Sequence, residues 1–154
     1  MTFTISNIAS SLAGYFAPYF EGVKFYEDPN QQGTDCPCMF LQARGPTKIE
    51  KHLDGRYLRT IRLDLTYLED YNLPDLQRRY QSAAETLDEI FELFPYSDGE
   101  SSTLIRTHNR EWNIDLDALH YRFDLQVFVY PQDNGIPMRT LESDIDVVVS
   151  AGDD

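Results

Sequence analysis

Three histidines, two cysteines and several paired carboxylates are the groups through which this chain could do chemistry. His52, His108 and His120 are scattered, and none stands in a His-Glu-x-x-His spacing that would put two ligands on one helix face. Cys36 and Cys38 flank Pro37, which is poor geometry for a mutual disulfide and too few ligands for zinc, so both read as free thiols. No Gly-x-Ser-x-Gly elbow is present, and neither cysteine carries a local nucleophile signature. Gly14, Gly22, Gly33, Gly45 and Gly55 stand singly and form no phosphate cradle. Asp115 with Asp117, and Asp144 with Asp146, have the pairing that acid–base catalysis uses. Residues two apart on a strand share a face, however, and a solvated strand face accounts for both pairs. The reading is therefore of no enzyme: no catalytic residue, no metal site and no cofactor.

One asymmetry remains, and it is basic. Arg44, Lys48, Lys51, Arg56, Arg59 and Arg62 follow one another between two apolar segments and into the second, relieved only by Glu50 and Asp54. Gly45, Pro46 and Gly55 break regular structure at both ends, and the stretch is longer than a hairpin turn requires. It reads as a mobile loop from Arg44 to about Arg56. Arg44, Lys48, Lys51 and Arg56 are the candidate assembly-interface residues, an arm for the acidic surface of a neighbouring copy or partner.

The rest of the chain supplies that acidic surface. Asp and Glu number 26 against 13 Lys and Arg, a formal charge of −13, which argues against holding nucleic acid through its phosphates. Hydrophobic residues at 42% and aromatics at 13% exclude a disordered chain despite that charge. With 154 residues, one core and a single domain over 1–154 are expected. No apolar run approaches the roughly 20 residues of a membrane span, and the start Met1-Thr2-Phe3-Thr4 does not read as a signal peptide. The expected setting is the cytoplasm, or something assembled there.

Hydropathy patterning supplies the elements that must position these groups. Ile5, Ile8, Leu12, Tyr15 and Phe16 form a helical stripe that Thr4 or Ser6 can cap and that ends near Ala17, before Pro18. A short strand over Val23–Tyr26 leads to a turn through Asp28-Pro29-Asn30 and Gly33. Cys38–Ala43 is apolar at nearly every position, as a strand covered on both faces is. From Arg59 to Tyr67 the alternation is clean, with Ile61, Leu63, Leu65 and Tyr67 facing one way. A second helix starts near Pro74, carries Leu76, Tyr80, Ala83, Ala84, Leu87, Ile90, Phe91 and Phe94, and closes at Pro95.

After a turn at Tyr96-Ser97-Asp98-Gly99, Leu104–Thr107 and Glu111–Leu116 read as a hairpin connected by His108-Asn109-Arg110. A long strand over Ala118–Tyr130 follows, then an alternating segment through Leu141, Ile145, Val147 and Val149. Phe128 and Tyr130, on the alternate face of the long strand, imply that part of that face is covered. The order gives an α+β fold, an antiparallel or mixed sheet of about five to seven strands with two main helices packed on it.

Four of these stretches together resemble one known family: Val23-Lys24-Phe25-Tyr26-Glu27-Asp28; Cys36-Pro37-Cys38-Met39-Phe40-Leu41; Tyr57 through Tyr67; and Leu119 through Val129, with the helix Tyr80–Leu93 between the last two. In order and spacing they are similar to the tail terminator proteins of bacteriophages and of phage-derived contractile particles of Gram-positive hosts. That resemblance implies a structural protein that forms a ring, usually of six copies, on top of the finished tail tube. Such a ring stops tube growth and offers a surface to the head or neck. The implied partners are further copies of the chain, the tail tube and sheath, and a neck or head connector protein, with no membrane and no specific nucleic acid. The implied place is the tail of a virion or tail-like particle assembled in the host cytoplasm. A head-to-tail connector or another neck protein is the alternative from the same particle, and a small-ligand enzyme the alternative from another class.

Overall fold

The computed structural model describes residues 2–27, 36–70, 72–115 and 117–130. Along them run α1 (Ile5–Phe16), β1 (Lys24–Tyr26), β2 (Cys38–Ala43), β3 (Lys48–Lys51), β4 (Tyr57–Leu68), α2 (Leu76–Ile90), β5 (Leu93–Ser97), β6 (Ser102–Ile114) and β7 (Leu119–Val129). The strands form a mixed seven-stranded sheet in the order β1-β2-β4-β7-β6-β5, with β3 also paired to β4. Among the described residues only β1 and β2 pair in parallel; the other pairings are antiparallel. This is the α+β sheet-and-two-helix fold that the patterning implies.

β4 is the spine. One of its edges pairs with β7 over Tyr57–Tyr67. Its other edge is shared, by β2 along Leu63–Leu68 and by β3 along Tyr57–Thr60. Period-2 alternation does the rest: Ile61, Leu63 and Leu65 of β4 and Tyr121, Phe123 and Leu125 of β7 are at most 1% exposed. Met39 and Leu41 join them from β2, and both helices close the cluster from above.

Capping explains where α1 lies. The Thr4 hydroxyl accepts from the Asn7 amide at 3.1 Å, and the helix ends at Phe16, before Pro18. Tyrosines fasten the helices to each other, to β7 and to the loops flanking the sheet, because a buried phenol must find a partner. Tyr80, fully buried, donates to the Asp117 carbonyl at 2.8 Å and accepts from the Glu69 amide at 2.9 Å. Tyr121 donates to Asp88 at 2.7 Å, and Tyr15 links α1 to the Ile90 carbonyl at 2.6 Å. Burial, then the hydrogen bond to Asp88, pushes the Tyr121 phenol well above its ordinary value.

Three local expectations are corrected. α2 ends at Ile90 instead of running to Pro95, with the Phe91 amide returning to the Leu87 carbonyl at 2.9 Å. Phe94 and Tyr96 are inward residues of β5, where Pro95 is tolerated on an edge strand. The spacing of Ile90, Phe91 and Phe94 fits a helix by coincidence. Second, no hairpin separates Leu104 from Ile114: β6 is one strand of 13 residues with a register shift between His108 and Glu111. Asn109 adopts a φ of 53°, a conformation asparagine accepts more readily than most residues, so the turn-forming residues make a bulge. His108 accordingly lies on a strand and not in a turn.

Third, the stretch Arg44 to Arg56 is not a long loop. Lys48–Lys51 is β3, and a tight turn through Gly55, at φ +87°, returns it into β4. The His52 amide donates to the Arg56 carbonyl at 2.8 Å to close that turn. The Asp28–Gly33 turn and the segment through Leu141 and Val149, with Asp144 and Asp146, lie outside the described residues.

Candidate assembly surface

The β3–β4 hairpin gathers most of the basic stretch at one end of the sheet, and the four candidate cations divide into different roles. Arg44, just after β2, reaches Asp124 on β7 at 3.3 Å, while its amide donates to the Arg62 carbonyl at 2.9 Å. Asp124 is 5% exposed and also accepts from Asn109 Nδ2 at 3.0 Å. Arg44 therefore serves a buried carboxylate of its own chain. Lys48 pairs with Glu50 at 2.7 Å, and this hydrogen bond holds the Glu50 carboxyl below its ordinary value. Lys51 is exposed, and no carboxylate among the described residues pairs with it. Arg56 pairs with Asp54 and lies over the Phe128 ring, 4.1 Å from its centroid.

Apolar groups accompany these cations. Leu53 at the hairpin tip is fully exposed, Ile49 on β3 is 62% exposed, and Tyr130 beyond β7 is 70% exposed. Phe128 is covered by Arg56 on its face and by His52 at a centroid distance of 5.1 Å, yet remains 42% exposed. Among the described residues, cover over Phe128 is thus partial and comes from the hairpin itself. An apolar cluster studded with cations at one end of a small protein has the character of an interaction surface. Ile49 and Leu53 escape sequence reasoning. Leu53 does leave a trace, an apolar residue inside a polar turn whose neighbours are His52 and Asp54.

The other chemistry-bearing residues stand apart. His120, on β7, is held at Nδ1 by Asp64 at 3.2 Å and at Nε2 by Asp115 at 3.2 Å. Thr66 adds its hydroxyl to Asp64 at 3.1 Å. Both imidazole nitrogens are occupied and Thr66 is 3% exposed, so this Asp-His-Thr cluster has no free base beside an open nucleophile. It ties neighbouring strands together. Among the described residues no group of three or more His, Cys, Asp and Glu side chains is placed to hold a metal ion. Cys36 is exposed and Cys38 buried. Among the same residues no helix is long and apolar enough to cross a membrane.

A mixed sheet backed by two helices, with a basic and apolar hairpin at one end, defines a small structural module of α+β class. The family model described as phage tail terminator protein matches residues 5–137, and the chain belongs to that family. It is therefore a structural protein of the phage tail. No curated protein matches it.

Proposed function

We propose that copies of this protein join in a ring, usually of six, that seats on the completed tail tube, stops its growth and presents the surface to which the head or neck attaches. The observation that carries this reading is the family match across residues 5–137. The hairpin supports it, since an end of the sheet that exposes Ile49, Leu53 and Tyr130 gains by being covered. Arg44, Lys48, Lys51 and Arg56 belong to this surface in different degrees: Lys48, Lys51 and Arg56 face a partner, and Arg44 holds the strands that carry them. No catalytic step and no cofactor form part of the proposal, and the tail tube, sheath and neck protein are the partners.

Mixing the purified protein with tail tubes and imaging the product by electron microscopy tests it. Capped ends and a regulated tube length are expected. Open ends with unregulated lengths would refute the reading.

A further inference from the structure

Among the described residues β3 has one partner, β4, and its other edge is open. The hairpin geometry fixes which groups that edge presents. The His52 amide bonds inward to the Arg56 carbonyl, and inward and outward bonding alternate along an antiparallel strand. Lys48 and Glu50 therefore turn to β4, while Ile49 and Lys51 aim amide and carbonyl outward. Ile49, 62% exposed, is in register with Arg59 on the face that packs under the helices, and Lys48 with Thr60 on the face that carries Arg56 and Arg62. An exposed edge of this kind is a template for one more strand.

One segment of the chain has the matching pattern. Residues 141–149 lie outside the described residues and beyond the 5–137 that match the family model. Leu141, Ile145, Val147 and Val149 alternate there with Glu142, Asp144 and Asp146, without one cation. Laid along β3, a strand of this pattern sets its apolar side beside Ile49 and its carboxylates on the face of Lys48, Arg56 and Arg62. Charge favours the match. Residues 44–62 hold six cations, of which Arg44, Lys48 and Arg56 are paired with Asp124, Glu50 and Asp54. Lys51, Arg59 and Arg62 have no carboxylate partner among the described residues, and Lys51 and Arg62 are exposed.

Reach favours it as well. Val129 of β7 stands opposite Tyr57, and Tyr57 faces Lys51, so the chain leaves β7 beside the hairpin. The open edge is three strand spacings away, about 14 Å. Residues 131–140 extend to about 33 Å and cover that distance within one molecule.

We infer that residues 141–149 dock as an added strand on the open edge of β3 in their own chain. This strand covers Ile49 and the outward backbone groups, and it leaves the tip residue Leu53 and the Phe128 face to a partner.

Carbodiimide cross-linking, which joins a lysine to a carboxylate in direct contact, tests it on the full chain, with heavy-isotope and ordinary protein refolded together from urea. Amide exchange is read on the same protein and on the full-length Ile145→Asp, Val147→Asp variant, whose changes lie outside the described residues. Links from Lys48 or Lys51 to Glu142, Asp144 or Asp146 within one chain are expected. Slow exchange at Ile49 and Lys51 should accompany them and be lost in the variant, with exchange across β4 and β7 unchanged. Links that join heavy to ordinary chains place a second copy on the edge and overturn the inference. Missing links, or exchange at Ile49 and Lys51 that is fast in the parent or unchanged in the variant, overturn it too.

Discussion

Arg44 and Asp124 join the two strands that flank β4: the guanidinium reaches past the spine to a carboxylate that is 5% exposed, at 3.3 Å. Asn109, from the bulge in β6, meets the same carboxylate, so one buried charge gathers β2, β6 and β7. Removing one partner of a buried polar group leaves its desolvation uncompensated, a loss of about 1–3 kcal/mol and more for a charge. Arg44→Met should therefore lower the unfolding free energy by about 1–3 kcal/mol, the retained Asn109 and the partial exposure of Arg44 keeping it within that range. Urea unfolding measures it, and a variant as stable as the parent would show that the pair is incidental.

The remaining hairpin cations should behave in the opposite way. Lys48 and Arg56 make ion pairs at the surface, where solvent screens them and little stability depends on them, and Lys51 makes none among the described residues. Lys48→Glu, Lys51→Glu and Arg56→Glu combined should leave thermal unfolding close to that of the parent while abolishing tube capping or making it salt-sensitive. Unchanged capping would deny the hairpin its assembly role.

Phe91 is the hub of the aromatic core, with ring centroids 4.7 Å from Phe123, 5.1 Å from Phe16 and 5.8 Å from Phe94. Phe91→Ala should cost about 3–5 kcal/mol, a large share of the roughly 5–15 kcal/mol that holds a domain together. The urea midpoint reports it, and a loss below about 1 kcal/mol would mean that the core refills the space.

Asp98 accepts from the amides of Ser101, Thr2 and Glu100 at 2.9, 2.9 and 3.0 Å, and these bonds hold its carboxyl far below the ordinary 3.8. A depressed carboxyl stabilises the fold fully above its unfolded value and loses that contribution as pH falls toward its folded one. The stability gap between parent and Asp98→Ala should be constant above pH 3.8 and shrink below it. A gap that stays flat down to pH 2 would contradict this.

Charge also sets what the protein avoids. At −13 per chain, fluorescence anisotropy with duplex DNA at physiological salt should show no binding in the range of about 10⁻⁴–10⁻⁶ M typical of sequence-independent binders. Tighter binding would require a cationic surface that the composition does not suggest.

Regular alternation made most of the sheet legible before any coordinates. β2 spans Cys38–Ala43 as its apolar run implies, and the inward residues Ile61, Leu63 and Leu65 are those of the period-2 pattern. Ambiguity entered where two periods coincide, as at Ile90, Phe91 and Phe94, or where turn-forming residues serve a bulge, as at Asn109. The basic stretch was visible, but its geometry was not. Lys48–Lys51 holds one apolar residue among charged ones, so nothing in its hydropathy announces a strand. Arg44 could not be told from its neighbours, because its role depends on Asp124, eighty residues away.

The N-terminal segment has a consequence for the order of folding. Asp98 holds the Thr2 amide, Tyr96 donates to the Thr2 carbonyl, Arg59 donates to the Phe3 carbonyl at 2.8 Å, and the Phe3 ring stacks on Tyr96 at 4.8 Å. Thr2 and Phe3 thus wait for partners up to nearly a hundred positions further along the chain, and a contact that closes so long a loop tends to form late. Phe3→Ala should consequently speed unfolding while leaving the refolding rate nearly untouched, the kinetic mark of a latch fastened after the barrier is crossed.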